Sequence, residues 1–140
     1  MEEMSWKKVD GGQGKLKELQ GKAVILDFWA TFCPPCVEEI PHLNSLQAKY
    51  GVENLQIVGL NVGGEDDRPL IADFAVKLKI AYPIAIPDDE LSRFIFATRD
   101  DIPQTAVFDR KGRMIRKIIG FGADQKRELD AAVEQAINTN

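Results

Sequence analysis

The feature that most constrains this chain is an apolar run that leads directly into two closely spaced cysteines. Residues 23–29 (AVILDFW) are almost continuously apolar, which is typical of a β-strand that is covered on both faces. Cys33, Pro34, Pro35 and Cys36 follow after a short gap. Both prolines suit the first turn of a helix, where a missing N–H costs nothing. The sequence therefore predicts a buried strand, a short loop and a helix that begins at the cysteines.

The rest of the chain continues this alternation of strands and helices. Apolar periodicity predicts that the first helix ends near Tyr50 and is followed by a strand over 55–62, a helix over 69–79, a strand over 82–86, a helix capped by Asp88 or Asp89, strands over 105–108 and 114–119, and a last helix over 124–137. Strand–helix–strand units imply parallel strands with helices on both faces, and the final hairpin adds an antiparallel edge. We therefore predict an α/β fold, a three-layer α/β/α domain with a central mixed sheet.

Length and composition favour a single ordered domain over residues 1–140. The chain is 44% hydrophobic and 29% charged, with no repeat or low-complexity linker, and this balance argues against disorder. Residues 1–20 are predicted to be irregular or to form an edge strand near Trp6–Val9. The net charge is −4 and there is no basic block, so we expect no nucleic-acid partner.

The sequence also carries no sign of membrane insertion. Met1–Trp6 is acidic and lacks the apolar core of a signal peptide, and no apolar run is long enough to cross a bilayer. We therefore expect no membrane insertion by this chain, while its residues leave the compartment open. Nothing in the sequence demands an oligomer, so we expect a monomer.

The two cysteines predict redox chemistry. A disulfide across so short a loop removes little chain entropy, so its value is more chemical than structural. The N-terminus of a helix lowers the pKa of a thiol placed there. We therefore assign Cys33 as the exposed attacking nucleophile and Cys36, one turn into the helix, as the shielded resolving thiol. Neither proline can donate an N–H to the Cys33 sulfur, so we expect a moderately lowered pKa and a reductant.

Other uses of the cysteine pair stay open at this stage. A zinc site usually needs four ligands, and the chain adds only His42, which we expect at the surface, to its two cysteines. We therefore expect no metal and no cofactor other than the Cys33–Cys36 disulfide itself. A metal-binding or protein-interaction module and a purely structural disulfide are the alternatives.

Two acids are placed to serve the cysteines. Asp27 lies in the buried strand, and burial should raise the pKa of its carboxyl, so that it could move protons to and from Cys36. Glu39 follows Cys36 by three residues and lies on the same helix face. The alternatives are an Asp27 bonded to a backbone group and a Glu39 that only complements the helix dipole.

Several further residues are candidates for binding a substrate. Ile102 and Pro103 precede a strand, either as an ordinary edge feature or as a cis peptide that frees the Ile102 backbone to pair with an extended substrate. Trp29 and Phe32 are expected to pack around the loop that carries the cysteines. Together with Pro34, these residues form the predicted substrate-binding surface.

Five segments resemble the TlpA/ResA-like branch of the thioredoxin superfamily. They are residues 28–36 (FWATFCPPC), 38–41 (EEIP), 61–64 (NVGG), 102–105 (IPQT) and 108–113 (FDRKGR), and the resemblance covers residues 21–137. It implies a thioredoxin-like fold with an inserted helix and strand between Gly64 and Ile86. It also implies a thiol–disulfide oxidoreductase that reduces protein disulfides, including those of apocytochrome c during haem attachment.

The same resemblance implies residue roles, partners and a location. Pro103 matches the cis-proline beside the active site, and Glu39 matches the buried glutamate of this branch. Asp27 matches the buried aspartate of thioredoxins proper, where the branch more often has Asn. The implied partners are a protein disulfide substrate and an upstream thiol donor protein. The implied location is periplasmic or otherwise extracytoplasmic, with the cytoplasm as the alternative.

The chain departs from the pattern of this branch near the cysteines. Phe32 stands where Trp is usual, and Asp100 and Asp101 bring negative charge just before Pro103. This charge could disfavour the Cys33 thiolate and repel acidic partners, or the two acids could simply be solvated. A peroxiredoxin-like peroxidase is a further alternative, but Thr31 lacks the usual preceding proline.

Overall fold

Within residues 4–139, the part of the chain that the structure describes, the computed structural model contains seven β-strands, four α-helices and two short 3-10 helices. The strands are β1 (Ser5–Lys8), β2 (Gln13–Lys15), β3 (Ala23–Trp29), β4 (Leu55–Asn61), β5 (Ile84–Pro87), β6 (Gln104–Phe108) and β7 (Met114–Ile119). The α-helices are α1 (Pro34–Tyr50), α2 (Ile71–Lys77), α3 (Asp89–Ile95) and α4 (Ala123–Asn138), and the 3-10 helices are Leu16–Leu19 and Arg68–Leu70.

The strands form one mixed sheet in the order β2-β1-β5-β4-β3-β6-β7. β3, β4 and β5 pair in parallel, whereas β6 pairs with β3, β7 with β6, β1 with β5 and β2 with β1 in the antiparallel sense. The predicted α/β fold with a mixed sheet is therefore confirmed. The inserted element corresponds to the 3-10 helix Arg68–Leu70, α2 and β5.

The two faces of β3 bury against different helices. Val24, Leu26 and Phe28 share a core cluster with Leu91 and Ile95 of α3. Ala23 and Ile25 share the opposite cluster with residues of α1 and α4, which include Leu43, Leu46, Leu129 and Val133. Successive strand side chains point to opposite faces, so Asp27 and Trp29 lie on the α1/α4 side. This alternation brings the acid of β3 under the helix that carries the cysteines.

The N-terminal segment is more regular than its sequence suggests. β1 and β2 form a hairpin, and β1 lies inside the sheet between β2 and β5. The prediction of an edge strand near Trp6 is therefore wrong, because β2 occupies the edge. Gly11 and Gly12 turn the chain back with φ values of 97° and 86°, which favour glycine. A Cβ at Gly14 would lie 2.2 Å from Trp6 Nε1, so the ring covers this glycine.

Two polar side chains pair differently from their sequence-based expectations. Asp88 precedes α3 as predicted, but its carboxylate makes no capping bond; it accepts hydrogen bonds from Ser5 Oγ and from Gln13 Nε2 (3.1 Å). His42 is partly buried at the surface, and its Nε2 lies 2.6 Å from Asp130 Oδ1, a contact that links α1 to α4. Among residues 4–139, no helix has the length and apolar character needed to cross a membrane.

Candidate active site

The loop after β3 places the two cysteines at the start of α1. Cys33 is the N-cap residue of the helix, with extended backbone angles (φ −109°, ψ 104°), and it forms a disulfide with Cys36. The backbone N–H of Cys36 donates to Cys33 Sγ over 3.3 Å, and the carbonyl of Cys33 accepts from the Val37 N–H (3.1 Å). The helix N-terminus thus presents an N–H group and its partial positive charge to the Cys33 sulfur.

Both cysteines are less accessible than the sequence suggests. Cys33 is 7% exposed and Cys36 is 0% exposed. The expectation of an exposed Cys33 at the tip of the loop is therefore wrong, because Ile71 of the inserted element and Ile102 pack into the same apolar cluster. Cys33 is nevertheless the more accessible of the two sulfurs.

The loop before β6 faces the first cysteine. The Ile102–Pro103 peptide bond is cis, and the carbonyl oxygen of Ile102 lies 3.7 Å from Cys33 Sγ. The Pro103 carbonyl accepts from the Gly120 N–H (2.9 Å). The buried Gln104 side chain donates to the carbonyls of Arg99 (2.8 Å) and Asp101 (3.0 Å). The backbone on both sides of the cis bond is therefore braced beside the disulfide.

The two predicted acids meet in the interior at one hydroxyl group. Asp27 and Glu39 are each 1% exposed, and Asp27 pairs in register with Thr105 of β6. Thr105 Oγ1 lies 2.9 Å from Glu39 Oε2 and 3.4 Å from Asp27 Oδ1. A hydroxyl has one proton to donate, so Thr105 donates to only one carboxylate at a time.

This environment changes the acidity of both carboxyl groups. Burial raises the pKa of Asp27 to about 7, although side-chain hydrogen bonding, which includes the Thr105 hydroxyl, acts in the opposite direction. Burial, reinforced by the charge of Asp27, raises the pKa of Glu39 well above its ordinary value. Two neighbouring carboxylates out of water cannot both ionise readily near neutrality. The pair therefore holds a proton under conditions in which exposed acids have lost theirs.

Two aromatic side chains cover this interior site. Burial, followed by the charges of Asp27 and Glu39, raises the pKa of the Tyr82 hydroxyl. Trp29 is 2% exposed and stacks on Phe74 of α2 with 5.6 Å between ring centroids. The inserted helix thus covers the indole, and the predicted substrate contact by Trp29 stays a prediction.

Phe32 and Pro34 remain at the surface next to Cys33. Phe32 is 68% exposed, so the expectation that it packs onto the loop is wrong, whereas its predicted place on a substrate-facing surface stays a prediction. Pro34 is also exposed. An exposed aromatic ring beside a recessed sulfur is well suited to contact a partner protein.

A groove lies next to the cis-proline loop and includes Ile102 in its lining. It has a volume of about 420 Å³, and its lining includes apolar Val62, Ile86, Phe96 and Ile102 and charged Arg68 and Asp100. Asp101 is bonded to Arg99 instead (2.7 Å). Of the two acids that distinguish this loop, Asp100 is therefore the one that faces the groove.

Sequence reasoning missed a third buried acid, Asp67. Its carboxylate accepts hydrogen bonds from the Thr31 backbone N–H (3.0 Å), from the Thr31 hydroxyl and from Asn61 Nδ2 (2.9 Å). Burial alone would raise the pKa of Asp67, but these hydrogen bonds outweigh it and lower the pKa. The motif over residues 61–64 marked the region, but nothing in the sequence pairs Asp67 with Thr31.

The Thr31 hydroxyl donates to Asp67, so the peroxidase alternative gains no support from it.

The side chains near the disulfide do not assemble a metal site. Within residues 4–139 there is no group of three or more His, Cys, Asp or Glu side chains arranged to hold a metal ion. The groups next to the disulfide are the Cys36 N–H and the Ile102 carbonyl oxygen. These surroundings suit a disulfide that exchanges with another disulfide.

Comparison with known proteins agrees with this geometry. A family profile described as AhpC/TSA matches residues 1–118. The thiol-disulfide oxidoreductase ResA of a Bacillus cereus strain is 31% identical over 121 residues, which cover 86% of this chain and 68% of that protein.

Two solved structures share the fold. A thiol:disulfide interchange protein of the thioredoxin family from Chlorobium tepidum TLS has a TM-score of 0.79 and 30% identity, covering 96% of this chain and 92% of the other. MTB dsbF, solved in mixed oxidized and reduced forms, has a TM-score of 0.76 and 25% identity, covering 96% of both chains. With its redox-active disulfide at a helix start, this chain belongs to the AhpC/TSA family and is a ResA-like thiol–disulfide oxidoreductase of the thioredoxin fold.

Proposed function

We propose that this oxidoreductase is a monomeric, single-domain reductase of protein disulfides that receives electrons from an upstream thiol donor protein. The observation that carries the direction of electron flow is the contact between the Cys36 N–H and Cys33 Sγ (3.3 Å). Pro34 and Pro35 have no N–H to add to it. With few donors to stabilise a thiolate, the dithiol is not strongly favoured over the disulfide, and the pair acts as a reductant.

The exchange requires two consecutive displacements at sulfur. The Cys33 thiolate attacks the substrate disulfide, forms a mixed disulfide and releases the first substrate thiolate, which takes up a proton. The Cys36 thiolate then attacks Cys33 Sγ, releases the second substrate thiolate and closes the Cys33–Cys36 disulfide. Two electrons pass to the substrate, and an upstream dithiol restores the reduced pair. Asp27 and Glu39 provide a buried acceptor for the Cys36 proton.

The surface around Cys33 supports a polypeptide substrate. The Ile102 backbone lies beside the sulfur at 3.7 Å, where an extended chain can pair with it. Phe32 and Pro34, which flank Cys33 in the sequence, add exposed contacts. Asp100 adds negative charge to the adjoining groove, which disfavours acidic partners.

The resemblance to the TlpA/ResA-like branch supports an extracytoplasmic location and, within it, a role in cytochrome c maturation. An oxidising compartment would keep idle molecules in the disulfide form, so a dedicated donor is needed there. In the cytoplasm, which is the alternative, the thiol pool would keep the pair reduced. The redox state of the pair in intact cells distinguishes the two locations.

The reduction potential of the Cys33–Cys36 pair tests the proposal directly. Trp29 packs in the same cluster as both cysteines, so its fluorescence should report their redox state in thiol buffers at neutral pH. A potential near that of thioredoxin, about −270 mV, is expected for a reductase. A potential near about −120 mV would make the protein a disulfide donor and would overturn the proposed direction.

A further inference from the structure

We propose that Asp67 is a positioning residue that anchors the loop before Cys33 and thereby sets the equilibrium between the Cys33–Cys36 disulfide and its dithiol. The inference rests on the oxidoreductase function above, but it applies whichever way electrons flow. Asp67 touches neither sulfur; it acts through Thr31, which lies two residues before Cys33.

The anchor is a buried carboxylate that accepts three hydrogen bonds. Oδ2 accepts from the Thr31 backbone N–H (3.0 Å) and from Asn61 Nδ2 (2.9 Å), and Oδ1 accepts from the Thr31 hydroxyl. Bonds from neutral donors to a carboxylate are stronger than those between neutral groups. Removal of the carboxylate would leave buried donors without partners, which carries a large penalty. The backbone at Thr31 is therefore held firmly.

The end of β4, which supplies the Asn61 bond to Asp67, is also held by hydrogen bonds. Asn61 ends β4, and its Oδ1 accepts from the Gly63 N–H (3.0 Å), while the Val62 N–H donates to the Trp29 carbonyl (2.8 Å). A Cβ at Gly63 would come within 2.4 Å of Asp67 Oδ2, so the absence of a side chain there lets the carboxylate approach. The loop that carries Cys33 is thus fastened to the neighbouring strand of the sheet.

The Asp67–Thr31 anchor affects the redox equilibrium because it limits the conformational entropy of the Cys33 thiol in the dithiol state. Cys36 is held by α1, whereas Cys33 is held by the loop that Asp67 anchors. If the loop is free, the Cys33 thiol samples more positions in the dithiol state, and disulfide closure loses more conformational entropy. Loss of the anchor should therefore weaken the disulfide and make the pair more oxidising.

Two substitutions at Asp67 separate anchoring from charge. In Asp67→Asn, the amide oxygen can replace Oδ2 as acceptor for the Thr31 N–H and for Asn61. Its NH₂ can donate to the Thr31 hydroxyl, which accepts as readily as it donates. Asp67→Asn therefore preserves the contacts without the charge, whereas Asp67→Ala removes both. Asp66→Ala is the matched control, because Asp66 is the exposed neighbour.

The experiment measures the equilibrium constant of the Cys33–Cys36 pair with glutathione for the full chain and these three variants. Asp67→Ala should lower the constant for disulfide formation by about five- to tenfold, as expected for added freedom in a short segment. Asp67→Asn and Asp66→Ala should stay within about twofold of the parent. Hydrogen exchange at the Thr31 N–H should speed up in Asp67→Ala alone.

Two results would overturn the inference. A lower melting temperature for Asp67→Ala with an unchanged equilibrium constant would show a purely structural role. An equal shift in Asp67→Asn and Asp67→Ala would assign the effect to charge instead of anchoring. If Asp67→Ala does not fold, Thr31→Val serves instead, because it keeps the backbone hydrogen bond and removes the hydroxyl. The equilibrium constant for disulfide formation should then fall by about two- to threefold. An unchanged constant in Thr31→Val would refute the proposal. A parent protein with a strongly oxidising potential would overturn only the reductase direction.

Discussion

At the scale of single residues, the buried acids dominate the chemistry. Asp27, Glu39 and Thr105 form a small polar group inside an apolar core, and each carboxyl has one oxygen, Asp27 Oδ2 and Glu39 Oε1, without a hydrogen-bond partner among the described residues. Such incomplete pairing is costly in a structural core. It is useful where a proton must arrive and leave. The geometry therefore favours a proton-handling role for the pair.

Replacement of Asp27 tests this role. The pKa of Asp27 is raised to about 7, so the single-turnover rate of substrate reduction by the parent should show an inflection near that pH. Asp27→Asn should remove the inflection and slow the reaction by about 100-fold, the lower end of what acid–base groups contribute. Stopped-flow Trp29 fluorescence between pH 5 and 9 measures the rate of each variant. Asp10→Asn is the control, because it removes an exposed carboxyl. An inflection that survives in Asp27→Asn would exclude this carboxyl as its source.

Thr105 should tune the same inflection. Its hydrogen bonds lower the pKa values of both carboxyls, so Thr105→Val should move the inflection to higher pH. Thr105→Ser retains the hydroxyl and should leave the pH profile close to that of the parent. The same stopped-flow titration compares them. A Thr105→Val profile equal to that of the parent would show that the hydroxyl does not tune these carboxyls.

At the scale of elements, the inserted helix α2 is a lid on the redox cluster. Ile71 lies in the same apolar cluster as Cys33 and Cys36, and Phe74 stacks on Trp29 with an interplanar angle of 29°. The insertion therefore does more than lengthen the chain. It supplies apolar side chains to the cluster in which the disulfide is packed.

Removal of the stack between Phe74 and Trp29 should change both the stability of the fold and the reduction potential of the cysteine pair. Phe74→Ala should cost about 1–3 kcal/mol in the free energy of unfolding, less than a fully buried Phe, and should also change Trp29 fluorescence and the reduction potential. Phe94→Ala is the matched control, because Phe94 packs against the opposite core cluster. Urea unfolding and thiol-buffer titration of both variants measure the effects. A shift of the potential in Phe94→Ala as large as in Phe74→Ala would argue against a specific role of α2.

The elements that the sequence predicted best are those whose signal is local. β3 is buried along all of its residues and α1 begins at two prolines, so the apolar run, the prolines and the helical spacing that ends near Tyr50 predict both elements. β1 was harder to place, because its exposed Lys7 and Lys8 carry little apolar signal and its inner position depends on pairing with the distant β5. Asp88 was expected to cap its own helix, but a hydroxyl from β1 competes for its carboxylate.

The same distinction applies within the site. The cysteine pair and the burial of Asp27 follow from neighbouring residues, and the cis-proline prediction at Pro103 rested on a motif. The bond between Asp67 and Thr31 spans 36 positions, and the approach of Thr105 to Glu39 spans 66. Both depend on strand register and loop path, which periodicity does not encode. The cover over Trp29 was missed for the same reason.

At the scale of the whole molecule, the buried acids should shape stability against pH. Asp27 has a raised pKa in the folded state, from an ordinary value of 3.8 to about 7, and that of Glu39 is also raised. Their contribution to stability is therefore complete below the unfolded pKa values and is lost as pH rises through the folded ones. Asp67 and Asp109 have lowered pKa values, so their contributions are lost only in acid below this window.

Urea unfolding of the disulfide form at several pH values checks this expectation. The free energy of unfolding should fall by about 2–4 kcal/mol between pH 5 and pH 8, in proportion to the pKa shift. In Asp27→Asn the decline should be smaller, because one of the two ionisations is absent while that of Glu39 remains. A parent protein whose stability is level or rises across that range would contradict the raised pKa values.

The shallow recess around Cys33, of which 7% is exposed, has a consequence for the shape of its partners. A disulfide on a flat, rigid surface would meet the exposed Phe32 ring and Ile102, which packs beside Cys33, before its sulfur came within bonding distance. A disulfide in a protruding or unfolded segment can enter end-on. The enzyme would therefore select partners by their conformation before it recognises their sequence. Disulfides in chains that have not yet folded would react ahead of disulfides in folded proteins.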